Sequence, residues 1–240
     1  MSLAQYLLDI IFPPACLACK SFLKNGGEKS EHLCATCREK LEFLSGFLCP
    51  ICLRRLPEGE RVCHKESRFI LAAPLSYSNP VVRELIHTLK YNGLRTAAEP
   101  LASVLAAYLS ASFENYKLRI ENFILVPIPL HPNRERERGY NQAFVIAQDL
   151  RDKLKTDIPI FTDVLTKVIP TPSQTEKKDY KEREENIRGS FKILKPELVA
   201  GKNILLTDDV FTSGATMREA ARVLKSAGAN KIIATVIARA

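Results

Sequence analysis

The sequence predicts an α/β protein, a parallel sheet flanked by helices, preceded by a small cysteine-rich lobe. Three observations carry that expectation. Strand and helix signals alternate over residues 67–240, the pattern of a sheet whose crossovers are helices. One strand signal, Ile204-Leu205-Leu206-Thr207, ends in Asp208 and Asp209 and runs through a small-residue hydroxyl turn into a helical pattern. In α/β sheets ligands gather at such strand ends. All seven cysteines lie within the first 63 residues. This composition shift sets a boundary near Ser67 and two regions, 1–66 and 67–240.

In chain order, residues 1–14 are apolar at Leu3, Tyr6, Leu7, Ile10 and Ile11 and read as a short amphipathic helix. They lack the basic flank and small-residue cleavage site of a signal peptide. Residues 71–77 read as a strand, and Val81, Val82, Leu85, Ile86 and Leu89 have helical spacing over 80–89. A second amphipathic helix covers 99–113, a buried strand 123–128, and a third helix 142–154 through Val145, Ile146 and Leu150. The strand at 204–206 carries the acids and a helix follows over 215–227. Gly228 stands where a left-handed C-cap belongs, and 232–238 is the last buried strand.

Bulk properties narrow the function. Hydrophobic content of 46% is ample for a core, and no apolar run reaches the roughly 18–20 residues of a membrane-spanning helix. With no export signal the expectation is a cytoplasmic protein, where cysteines are thiols or metal ligands and not disulfides. The net charge of +8 is spread along the chain, with no basic arm and no Trp. It fits an anionic small molecule as well as non-specific nucleic-acid contact.

The cysteines carry metal chemistry. Cys16-x2-Cys19 and Cys34-x2-Cys37 supply four thiolates on two tight turns, the zinc-ribbon or knuckle pattern. Cys49, Cys52 and Cys63 supply three more. The fourth ligand of that set is His64, Glu66 (where the second cysteine of a fourth pair would stand) or a residue elsewhere. One or two structural zinc sites follow.

The acid motif carries sugar-phosphate chemistry. A helix start offers N–H groups and a positive dipole end to a phosphate. Thr212, Ser213 and Thr216 add hydroxyls, and Gly214 lets backbone approach closely. Two carboxylates beside this cradle accept hydrogen bonds from vicinal ribose hydroxyls. The stretch resembles the phosphoribosyl pyrophosphate (PRPP) loop of type I phosphoribosyltransferases. The resemblance implies ribose bound by Asp208 and Asp209, and 5′-phosphate bound by the loop of Thr212, Ser213, Gly214, Ala215 and Thr216. Phe211 is bulkier than the aliphatic residue expected there.

Further motifs extend the likeness. Val126-Pro127-Ile128-Pro129-Leu130-His131 precedes Arg134, Arg136, Arg138, Gly139, Tyr140, Asn141 and Gln142, and a second cluster holds Gln174, Arg183, Asn186, Arg188, Gly189 and Phe191. With Leu89-Lys90-Tyr91 and the cysteine pairs, these resemble the ComF family over nearly all of the chain. That resemblance implies a double zinc ribbon fused to a type I phosphoribosyltransferase domain. The middle region also resembles the glutamine amidophosphoribosyltransferases, which implies Arg134 and Arg138 facing pyrophosphate and a lid containing Gln174, Arg183, Asn186 and Arg188, with PRPP bound together with Mg²⁺. The activity that the ComF resemblance implies is phosphoribosyl transfer to an unidentified acceptor, linked to DNA uptake in competence. The rival expectation is a non-catalytic module that binds competence proteins or single-stranded DNA and keeps a sensory or relic PRPP site.

Overall fold

The computed structural model describes residues 13–23, 32–58, 63–170 and 187–240. Nearly all of the expected N-terminal helix, and Gln174, Arg183 and Asn186 of the expected lid, lie outside these residues. The main sheet is wholly parallel. It contains β1 (Ile70–Ala72), β2 (Leu75–Ser76), β3 (Phe123–Pro127), β6 (Asn203–Phe211) and β7 (Ile232–Arg239), in the order β1-β7-β6-β3, with β2 also paired to β7. The strand expected over 71–77 is broken in two around Pro74, which has no N–H to give a ladder. Its carbonyl accepts instead from Leu44 N at 2.7 Å.

Strand residues alternate between two cores, as a sheet covered on both faces requires. Leu125, Leu205, Ile233 and Ile237 face α2 (Pro80–Tyr91), α3 (Ala98–Asn115) and α5 (Gln142–Leu154). Ile124, Val126, Ile204, Leu206, Ala234 and Val236 face α6 (Ala215–Ser226) and an antiparallel hairpin of β4 (Leu165–Lys167) and β5 (Phe191–Ile193). Helix α2 starts where Asn79 Oδ1 accepts from the N–H groups of Val81 and Val82 at 3.0 and 3.4 Å, an N-cap followed by Pro80 at the first position. Helix α6 ends as expected, with Gly228 at φ +88° and Ala229 N bonded to Leu224 O at 3.1 Å.

The cysteine-rich residues, which include the short α1 (Ala35–Glu39), share the first of these cores. Leu48 and Leu71 exchange backbone hydrogen bonds of 2.8 and 3.0 Å, joining the lobe to β1. Phe47 is buried against Phe113 and Tyr116 of the α3 region, with ring centroids 6.1 and 4.7 Å away. The hydroxyls of Tyr108 and Tyr116 donate to Gly46 O and Leu56 O. Along α2, Asn79 Nδ2 donates to Lys40 O at 2.7 Å, and Glu84 pairs with Lys20 at 3.2 Å.

Candidate functional site

Strand β6 runs to Phe211, further than its apolar run suggests, so the two acids lie inside a strand still paired with β7. On the other side the β3 ladder stops at Thr207. The acids therefore sit where one neighbour has turned away and opened the strand. Because adjacent strand residues point to opposite faces, the two carboxylates meet different surroundings. Asp209 is 4% exposed and pairs with Lys90 Nζ of α2 at 2.9 Å. Asp208 is half-buried, accepts its neighbour's N–H (Asp209 N to Oδ1, 2.9 Å), and feels Lys167 of β4 from the hairpin face. Burial, then the Asp209 charge, pushes the Asp208 carboxyl up to about 7, against the pull of Lys90, the Asp209 N–H and Lys167. Burial alone would lower the Lys90 ammonium, but the Asp209 carboxylate outweighs it and holds the lysine above its ordinary range.

Beyond Phe211 the chain turns at Gly214, φ +74°, into α6. Ser213 Oγ accepts from Ala215 N at 3.4 Å, and Arg218 holds the turn through Ser213 O at 2.7 Å. Phe211 is 3% exposed, lies edge-on to Phe69 at 6.4 Å, and fills the space a Cβ on Gly214 would need. Its bulk, unexpected from the resemblance, braces the loop from below.

The arginines divide. The segment that carries Arg134 and Arg138 is a seven-residue helix, α4 (Pro132–Arg138). Arg134 reaches Glu137 at 3.3 Å and lies close enough to Lys167 to act on its charge. Arg138 stands over the Tyr91 ring at 5.7 Å and donates to Gln142, beside the end of α2 that carries Lys90. Arg188 is exposed and lies toward Glu219 of α6, which also accepts from Gly189 N at 2.7 Å.

Lys90 and Lys167 are absent from the candidate residues that sequence reasoning selected. Lys90 had a signal. It ends the row Val82, Ile86, Lys90 at i, i+4 spacing on the buried face of α2. Lys167 sits in a three-residue strand with no such mark.

The cysteines form two clusters, Cys16, Cys19, Cys34 and Cys37, and Cys49, Cys52, Cys63 and His64, each with ligand atoms within 4.8 Å of one another. Four sulfurs at a tetrahedral zinc stand about 3.8 Å apart. Cys19 and Cys34 are 3.7 Å apart and Cys52 and Cys63 3.3 Å apart, so the donor sets fit the ion. His64 Nδ1 completes the second set, 3.4 Å from Cys49 and 3.2 Å from Cys63. Glu66, named with the ligands from the sequence, is exposed and outside the cluster. The reason is chemical as well as geometric, since a carboxylate is the harder, less suited partner for a thiolate-bound zinc.

The knuckles repeat. Cys16 N bonds Ser21 O and Cys49 N bonds Arg54 O, at 2.8 and 2.9 Å. Lys20 N and Leu53 N return to the first cysteine's carbonyl at 2.9 and 2.8 Å. Both Lys20 and Leu53 are left-handed, at φ 64° and 58°. A hydrogen bond from the Ser21 hydroxyl, with its backbone N–H, lowers the Cys19 thiol to about 6. Burial opposes ionisation of Cys49, but the N–H groups of Cys52 and Ile51 with Cys63 and His64 bring it to about 6 as well.

Residues 7–66 match the double zinc ribbon domain and residues 140–240 the phosphoribosyl transferase domain. Competence protein ComFC of Bacillus subtilis is 29% identical over 208 residues, covering 82% of this chain and 80% of that protein. Competence protein F of Haemophilus influenzae is 28% identical over 218 residues, with 88% and 86% covered. DNA utilization protein YhgH of Salmonella typhimurium is 25% identical over 215 residues, with 82% and 92% covered.

Proposed function

Because the chain belongs to the ComF family, a double zinc ribbon joined to a phosphoribosyltransferase domain, we propose that it binds PRPP and transfers its phosphoribosyl group to an acceptor. One observation carries this reading. An acid pair on an opened strand runs straight into a left-handed Gly214 turn at the start of α6. The ribose hydroxyls meet Asp208 and Asp209, and the 5′-phosphate meets Thr212, Ser213, Gly214, Ala215 and Thr216 at the positive end of the helix. Arg134 and Arg138 face the pyrophosphate, which guanidinium forks suit. Mg²⁺ carried in with the ligand would sit beside Asp208 and Asp209 and offset the negative charge of the pyrophosphate, as an oxygen-seeking ion does.

As the bond from C1′ to pyrophosphate lengthens, positive charge builds on the ribose. The protein's part is to orient the substrate, balance the leaving charge and exclude water. Zinc belongs to the other lobe and shapes it.

Isothermal titration with PRPP and Mg²⁺ tests the reading. The wild type binds, and the Asp208→Asn/Asp209→Asn double variant does not. A folded wild type that fails to bind overturns it. A second reading rests on the names of the relatives, which point to competence and DNA utilization. In it the protein is a module for competence proteins or single-stranded DNA, with the PRPP site as a sensor. DNA binding at low salt that survives the double variant would favour it.

A further inference from the structure

One buried donor close to the acids is left over. Arg239 is the last residue of β7 and is half-buried, and its Nε is sealed from solvent with no hydrogen-bond partner. Among the described residues no carboxylate pairs with its guanidinium. A surface arginine ordinarily buries its stem and keeps its head in water. Here part of the head is withdrawn, and a donor left unmet in that position costs stability until something supplies an acceptor.

Arg239 stands in the last rung of the sheet, opposite Ser76 of β2 on one side and Phe211 of β6 on the other. Asp208 is opposite Val236, three residues before Arg239. The arginine is therefore one strand over from the acids and about 10 Å further along. The polar groups of the adjoining turn and strand are engaged elsewhere. Ser76 and Ser78 hydroxyls lie 2.7 Å apart, Asn79 caps α2 and donates to Lys40 O, and Asp209 is paired with Lys90. Tyr77 N donates to Arg239 O at 2.8 Å, so the side chain projects from a fixed strand end.

We propose that Arg239 forms the acceptor subsite and that the acceptor carries a carboxylate. This rests on the PRPP reading of the site, in which the Gly214 turn takes the 5′-phosphate and the α4 arginines take the pyrophosphate, leaving Arg239 to the second substrate. Ribose at the acids and the body of the acceptor fill the distance between the two strands. The Nε–H and one Nη–H of a guanidinium form an edge of two parallel donors, which matches the two oxygens of a carboxylate. The same uncompensated cation repels an ammonium group, so simple amines are selected against.

Three probes of similar shape and different charge test this on the full chain: benzoate, benzamide and benzylamine. The nitrogen-15 NMR signal of the Arg239 Nε–H, identified by its loss in Arg239→Lys, should move with benzoate and saturate at about millimolar concentration. Benzamide should bind about tenfold more weakly, and benzylamine should leave the signal in place. By calorimetry Arg239→Gln should weaken benzoate about tenfold, and Arg239→Lys, a charge without the fork, should fall between. If Arg239→Gln fails to fold, the wild-type signal and the lysine variant still decide. Benzoate should bind alongside PRPP and Mg²⁺ and not compete with them.

A signal indifferent to benzoate at about 10 mM, well above the affinity expected of so small a fragment, overturns the subsite. So does equal benzoate affinity in wild type and Arg239→Gln. Displacement of benzoate by PRPP would place the guanidinium on the donor and overturn the acceptor assignment. Loss of PRPP binding in Arg239→Gln as complete as in the acid double variant would do the same. Should a folded wild type bind no PRPP while benzoate still moves the signal, the PRPP reading falls and takes the acceptor role with it, and the carboxylate site stands.

Discussion

A single glycine sets the shape of the turn between β6 and α6. Gly214 has φ +74°, and a Cβ there would stand 2.4 Å from Phe211 Cζ and 2.9 Å from an Arg218 nitrogen. Gly214→Ala thus meets both a left-handed backbone penalty and a clash with a buried ring. The backbone part alone costs about 1–3 kcal/mol, which for a chain of this size lowers Tm by about 2–4 °C per kcal/mol. Adding Phe211→Leu to Gly214→Ala should recover the steric part, as read by thermal melting of the three variants. An unchanged Tm in Gly214→Ala would mean the turn is not held as described. At this scale the sequence revealed the acids and the glycine through their order along the chain. It placed Lys90 in a motif but gave it no role, because a lysine in an amphipathic helix resembles a solvated charge until its partner, over a hundred positions away, is seen beside it.

At the scale of elements, long apolar runs were legible and short polar ones were not. Strands β3, β6 and β7 announce themselves through Val, Ile and Leu that fill both faces. Strands β4 and β5 have three residues each and carry lysines, so no periodicity separates them from loop. Helix α4, with sequence Pro-Asn-Arg-Glu-Arg-Glu-Arg, has no buried residue. It is held by its His131 cap, Pro132 start and Gly139 stop.

The contact between the lobe and α3 depends on two tyrosines whose hydroxyls satisfy buried carbonyls of Gly46 and Leu56. Tyr116→Phe leaves the Leu56 carbonyl without its donor, a loss of about 1–3 kcal/mol. The urea midpoint should fall accordingly. A midpoint equal to wild type would show that this hydrogen bond adds nothing to the contact.

For the whole molecule, the expected division into a metal lobe and an α/β region was legible from the cysteines, but their shared core was not. Composition marks where thiols stop; it does not show that Phe47 and Leu56 pack under α3. Zinc held by the two cysteine clusters would contribute to folding directly, and the shared core would pass that contribution on. Removing the metal with a chelator should therefore lower the melting temperature of the entire protein in one calorimetric transition. An early transition for the lobe, followed by an α/β transition at the original temperature, would contradict this coupling.

The sheet order has a consequence in time. Strand β7 is the last element of the chain, yet it lies between β6 and the β1–β2 edge and is the neighbour both of those strands pair with. Synthesis runs from the N terminus at about 5–20 residues per second. The ribbons can close on metal early, because each knuckle bonds within itself. Strand β1, already joined to Leu48 of the lobe, must wait for β7 before its place in the sheet exists. The earlier described strands of this sheet are thus assembled around a gap that β7 fills.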